Sequence, residues 1–135
     1  FEFWLAHPDE TPLFPYLLSY EGEQRSERVL RQIEADLPRY CVEQNDLLVP
    51  LRYLNTHPGE SDAIICAALE AIFDLPRGIA CGIVDDWGQE FITPAIRRSL
   101  IKARQLSNND VVTARIDCLL AGKHFDIGKF LNKRK

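Results

Sequence analysis

An all-α fold is predicted for this 135-residue chain: a compact bundle of about six or seven short helices, with solenoid-like stacking of helix pairs as a variant. Three observations carry the prediction. Apolar residues recur at helical spacing from residue 26 onward. Ser, Thr, Asn or Asp precedes most apolar runs and Pro or Gly follows them, which is how short helices start and stop. No Asn-Gly or Asp-Gly dipeptide occurs, so the two-residue hairpin signal is missing.

The elements follow in order. Residues 1–20, FEFWLAHPDETPLFPYLLSY, are rich in aromatics and prolines. Pro8, Pro12 and Pro15 interrupt any long helix, and Phe3 and Trp4 are expected to tuck this stretch onto the core as an ordered N-terminal arm. In SERVLRQIEADLP, Leu30, Ile33 and Leu37 share one helical face, Ser26 is placed as the N-cap and Pro38 stops the helix. In NDLLVPLRYLNTH, Leu47, Leu48, Leu51 and Leu54 take helical spacing, with Asp46 as the cap and Pro50 in the first turn. SDAIICAALEAIFDLP reads as the central buried helix, capped by Ser61 and closed by Pro76.

The next stretch, RGIACGIVDDWGQEF, fits a helix or a short strand through IACGIV; helix is expected because its neighbours are helices. Gly78 and Gly82 there would permit close helix packing. In ITPAIRRSLIKARQL, Thr93 is the N-cap and Pro94 the first helical residue. Ile96, Leu100 and Ile101 face inward, and Arg97, Arg98, Lys102 and Arg104 line the other side. Asn108 or Asn109 caps DVVTARIDCLLAG, whose apolar face is Val112, Ile116, Leu119 and Leu120 and whose end is Gly122. Residues 123–135 form a C-terminal tail with a short helix anchored by Phe125, Ile127 and Phe130.

Residues 1–135 are expected to make one helical domain, large enough for a core without metal or disulfide staples. Hydrophobic residues at 46% and charged residues at 27% exclude a disordered chain. No apolar run nears the roughly 18 residues of a membrane span. No basic segment ahead of an apolar stretch reads as a secretory signal. Cys41, Cys66, Cys81 and Cys118 form no C-x-x-C pair and sit in apolar surroundings. Free buried thiols and a cytoplasmic location are the expectation.

Charge is unevenly spread. Residues 1–74 hold 14 acids against 5 bases, whereas residues 75–135 hold 6 acids against 11 bases. An acidic half steers a basic partner toward itself; it is also compatible with a merely polarised surface.

No catalytic or metal site is legible, and no cofactor is expected. His7 and His57 each precede a proline in a loop, and neither they nor His124 stand at metal-ligand spacing. A turn role, with the ring bonded to nearby backbone, is expected of His7 and His57. No G-x-S-x-G, Walker A or G-x-G-x-x-G pattern occurs. The segment VDDWGQEF gathers Asp85, Asp86 and Glu90 around Trp87. It admits three readings: paired carboxylates for metal or acid–base work, a solvated helix end with Trp87 packed on the core, or an interaction patch with an aromatic anchor ringed by acids. The basic face of the Arg97–Arg104 helix admits nucleic acid or plain solvation, and the net charge of −4 favours solvation.

The segments NTHPGESDA and DLPRGIACGIVDDWGQEFITPAIRRSLI, with the closing TARIDCLLAG, resemble a family of small bacterial immunity proteins from contact-dependent growth inhibition systems. The resemblance spans roughly residues 50–122 and leaves out residues 1–20. It implies a cytoplasmic antitoxin that binds the C-terminal toxin domain delivered by a neighbouring cell and occludes its active site. Such toxins are often basic nucleases, including RNases. No contact residue carries over from the family.

The functional expectation is therefore a non-enzymatic immunity protein that neutralises a cognate toxin domain. Asp85, Asp86, Trp87 and Glu90 are the expected contact centre, with Glu21, Glu23 and Glu60 as outlying acids. No nucleic acid, membrane or small-molecule substrate is expected as a partner. The alternative is a helical adaptor or scaffold that binds a basic protein without any toxin. An enzyme with dispersed residues would need His57 or His124 beside a carboxylate in a deep pocket.

Overall fold

Caps and prolines punctuate the chain into short helices, and a computed structural model describes them over residues 23–133. They are α1 (Glu23–Ala35), α2 (Leu48–Asn55), α3 (Asp62–Leu69), α4 (Asp74–Trp87), α5 (Pro94–Leu106), α6 (Asp110–Leu120) and α7 (Ile127–Lys133). Two 3-10 turns, Leu37–Tyr40 and Gln89–Phe91, complete the set, and no strand occurs among the described residues. The N-terminal arm of residues 1–20 lies outside the described residues, as does Glu21.

Local chemistry sets most boundaries as expected. Ser61 Oγ accepts from the Ile64 N–H at 3.3 Å and starts α3. Thr93 Oγ1 accepts from the Ile96 N–H at 3.2 Å, with Pro94 opening α5. Asn109 Oδ1 accepts from the Val111 and Val112 N–H groups and starts α6. Gly122, at φ 74°, turns the chain out of α6 so that the Lys123 N–H reaches the Cys118 carbonyl at 2.8 Å.

Five expected boundaries or anchors differ. Ser26 is no cap: α1 begins at Glu23, and Ser26 is buried one turn inside it. Asp46 does not cap α2; its carboxylate accepts instead from the Val42 and Glu43 N–H groups in the preceding turn. Pro76 does not close the central helix. The chain breaks after Leu69, and Pro76 sits in the first turn of α4, where its missing N–H has no helical partner to lose. Ile101 and Ile127, expected inside, are about half exposed at 48% and 49%.

The break between α3 and α4 is held by a buried arginine. Arg77 is 1% exposed. Its Nε donates to the Leu69 carbonyl at 3.1 Å, its Nη2 to the Ala71 carbonyl, and its Nη1 pairs with Asp74. One planar cation thus satisfies the last carbonyl of α3, the Ala71 carbonyl in the link and the first acid of α4.

From α2 to α6 the helices pack on neighbours and next neighbours in the chain. α2 lies against α4 and α4 against α6; α3 lies against α5; α3 also meets α4 and α5 meets α6. Leu51 and Leu54 of α2, Ile64 and Leu69 of α3, Val84 of α4, Leu100 of α5 and Ile116 of α6 are fully buried in one shared core. Gly78 and Gly82 let α6 come close to α4: a Cβ would stand 3.4 Å from Val112 Cγ2 at Gly78 and 3.2 Å from Arg115 Nη1 at Gly82. No helix among the described residues is long and apolar enough to cross a membrane.

Candidate functional site: an acid end and its supports

The expected contact centre sits where α4 ends. Trp87 is not an outward anchor. It follows Ala80 and Val84 on the inward face of α4 and is 7% exposed. Its Nε1–H donates to the Leu54 carbonyl at the end of α2 at 2.9 Å, and its ring meets Phe91 edge-on at 5.9 Å. Trp87 therefore ties the ends of α2 and α4 together from inside, the core-packed reading of the VDDWGQEF segment.

Asp85 is also mostly covered, at 8% side-chain exposure, and its Oδ1 lies 3.0 Å from Nδ1 of His124. This contact joins the end of α4 to the segment after α6. His124 itself is 75% exposed, so the carboxylate–histidine pair stands at the surface.

The exposed acids of the group are Asp86 and Glu90, and Glu60 joins them. The join is made by their neighbours: a Cβ on Gly59 would stand 3.3 Å from Phe91 Cδ1, so the turn carrying Glu60 abuts the turn carrying Glu90. Gly59 has φ 78°, the left-handed region that favours glycine, and that turn brings the chain back from α2 toward α3. Glu60 also accepts from the Tyr53 hydroxyl at 3.0 Å. Tyr53 stacks on His57 at 3.9 Å, and His57 Nδ1 lies 2.8 Å from the Tyr53 carbonyl, which assigns the proton to Nδ1 because a carbonyl only accepts. This is the turn role expected of His57. A base also reaches the acid end: Arg31 pairs with Glu34, which holds the guanidinium further up its range, and donates to the Glu60 carbonyl. The backbone of Glu23 begins α1, and Glu21 lies outside the described residues.

The structure therefore brings Asp86, Glu90 and Glu60 to one end and takes Asp85 and Trp87 into its supports. The ends of α2 and α4 meet there too, and their carbonyl-rich C-termini add negative potential.

The basic face of α5 is spent largely on its neighbours. Lys102 pairs with Glu70 at 3.1 Å, Arg104 pairs with Asp117 on α6, and Arg97 donates to the Leu120 carbonyl. Glu70 also accepts from the buried Ser99 hydroxyl at 2.6 Å. That bond, with Lys102, holds the Glu70 carboxyl below the usual carboxylate range. Burial pushes the thiols of Cys41 and Cys66 up, and that of fully buried Cys81 to about 12. No group of three or more His, Cys, Asp or Glu among the described residues is placed to hold a metal ion.

Sequence reasoning missed the Asp85–His124 contact and the role of Arg77. The first joins residues 39 apart, beyond any local pattern. For Trp87 the signal was present, since Ala80, Val84 and Trp87 fall at i, i+4 and i+7. No protein-family model, curated protein or solved structure matches the chain.

Proposed function

We propose that this chain acts by binding a basic protein on its acid end, and that it is an immunity protein that neutralises a toxin nuclease domain in the cytoplasm. The observation that supports this reading is the convergence of Glu60 with Asp86 and Glu90 from separate turns, over a rigid base of Trp87, Leu54 and Phe91. A nuclease active site is built to attract phosphate. Fixed carboxylates on an inhibitor compete for the same cationic groups and raise the encounter rate. The resemblance of residues 50–122 to immunity proteins makes a toxin domain the first partner to try.

The contact set is narrower than the one read from sequence. Asp86, Glu90 and Glu60 face the partner, while Asp85 and Trp87 hold the surface in shape. Exposed charges of this kind act mostly on association rate and salt dependence.

The test is co-expression with the product of the gene immediately upstream, then stopped-flow association with that purified product. Reversing Glu60, Asp86 and Glu90 together to Lys should slow association about tenfold at low salt, and the difference should shrink as salt rises. Unchanged association would remove the acid end from the reading. Failure to form any complex with the upstream product would remove the toxin. The stacking of alternate helices favours one second reading, a helical adaptor that uses the same acid end on a basic protein with no toxin gene nearby.

A further inference from the structure

A groove runs along the outer side of α4 and α6, of about 610 Å³ and lined by Leu75, Gly78, Ile79 and Gly82 of α4 and Val111, Val112 and Arg115 of α6, with Asp74 and Asn109 at one end. That volume lies within the range of small-molecule sites. Its walls are apolar for most of their length. The two glycines leave its floor without side chains, and Gly82 does so directly under the Arg115 guanidinium.

Among the described residues, Arg115 is the one cation that lines the groove. Its Nε is buried with no hydrogen-bond partner among those residues. The guanidinium carbon lies 5.1 Å from the centre of the Phe125 ring, so the ring takes one face of the cation. The N–H donors of a guanidinium lie in its plane, at the edge, and the ring does not use them. Asp85 and Asp86 stand one turn beyond Gly82, but Asp85 is held by His124 and neither is ion-paired with Arg115. The Nε is covered, so an acceptor in the groove meets Arg115 at its terminal nitrogens.

We infer that this groove binds a monocarboxylate with an unbranched apolar chain, the carboxylate on Arg115 and the chain running over Gly82 and Gly78 toward Leu75. An anion is chosen because Arg115 lines the groove at that end while Asp85 and Asp86 do not, and carboxylate fits a guanidinium edge in two parallel bonds. An alkyl body is chosen over an extended peptide because the middle of each wall is helix interior, with its backbone bonded within the helix. Those stretches offer nothing to the N–H and C=O groups of a peptide. From Leu75 to Gly82 the helix rises about 10 Å, which sets the chain at roughly eight carbons. This site is separate from the acid end and does not depend on the partner proposed for it.

Octanoate is the probe, titrated into the full chain by calorimetry at fixed ionic strength, with acetate and 1-octanol as comparisons. Saturable binding of octanoate at one site per chain is expected, with acetate and 1-octanol each at least about tenfold weaker because each lacks half of the recognition. Arg115→Gln should weaken octanoate at least about tenfold and leave octanol unchanged. Gly82→Ala, which raises the floor under Arg115, should weaken octanoate while leaving the helical circular dichroism intact. Octanoate binding no tighter than octanol, or an unaltered affinity in Arg115→Gln, would overturn the inference. If Arg115→Gln does not fold, the wild-type comparison of octanoate with octanol decides alone.

Discussion

Replacing Arg77 by Met should cost about 3 kcal/mol of folding free energy. The side chain is 1% exposed and makes three polar contacts: Nε with the Leu69 carbonyl at 3.1 Å, and the two terminal nitrogens with the Ala71 carbonyl and Asp74. Hydrogen bonds from a charged donor contribute about 1.5–3 kcal/mol each, which would suggest a larger loss. Two terms reduce it. Met fills a similar volume and carries no charge, so the cost of burying a cation disappears. Asp74 is 42% exposed, so water receives its carboxylate when the arginine goes. The Leu69 and Ala71 carbonyls remain, and their lost partner accounts for most of the figure. Urea unfolding followed by circular dichroism gives the measurement, and a drop of roughly 10 °C in Tm should accompany it. Arg77→Lys should be no better than Met, because an ammonium is a point donor that cannot reach three acceptors on two helices. A loss under about 1 kcal/mol for Met, or a clear rescue by Lys, would refute the view that the planar fork holds the break between α3 and α4.

Trp87→Phe should lose about 1–2 kcal/mol of stability, and not more, because the Leu54 carbonyl keeps the His57 N–H at 3.1 Å as a second donor. A variant with native stability and weakened partner binding would return Trp87 to the interface. For Glu70 the sign follows from its partners. Its folded carboxyl sits below the unfolded value, so it stabilises the fold above the unfolded pKa, and that contribution fades as pH falls through the folded one. Ser99→Ala should therefore lower the urea midpoint near neutrality and flatten its fall below about pH 4.5, with a parallel acid limb counting against it. Cys81, its thiol pushed up to about 12 by burial, should resist alkylation at mildly alkaline pH until the chain unfolds. Labelling of Cys81 in the native protein, read by mass spectrometry, would contradict that burial.

What was legible in the sequence was local. Ser61, Thr93 and Asn109 cap their helices through amides two or three residues away, so spacing alone exposes them. Pro76 misled because proline is tolerated in a first turn as well as after a last one. What breaks that tie is Arg77 reaching back to Leu69 and Ala71, a contact no periodicity announces. Asp46 misled for the mirror reason: two amides upstream compete for its carboxylate with those downstream. At the acid end, sequence located the acids and misjudged their exposure. Asp85 and Asp86 are neighbours, yet one turns to His124 and the other to solvent, because successive helical residues point about 100° apart. Arg115 carried no sequence signal at all; only the packing of α6 against Gly82 gives it a role.

The pattern in which α2 meets α4, α3 meets α5 and α4 meets α6 has a consequence in time. Among the described residues no principal helix contact joins elements more than two steps apart, so the main helix pairs close loops of limited length, and closing them costs limited entropy. A chain growing from a ribosome can settle each helix once the next but one has emerged. The protein should then fold quickly and in order, with α3 and α4 pinned by Arg77 before the groove of α4 and α6 exists.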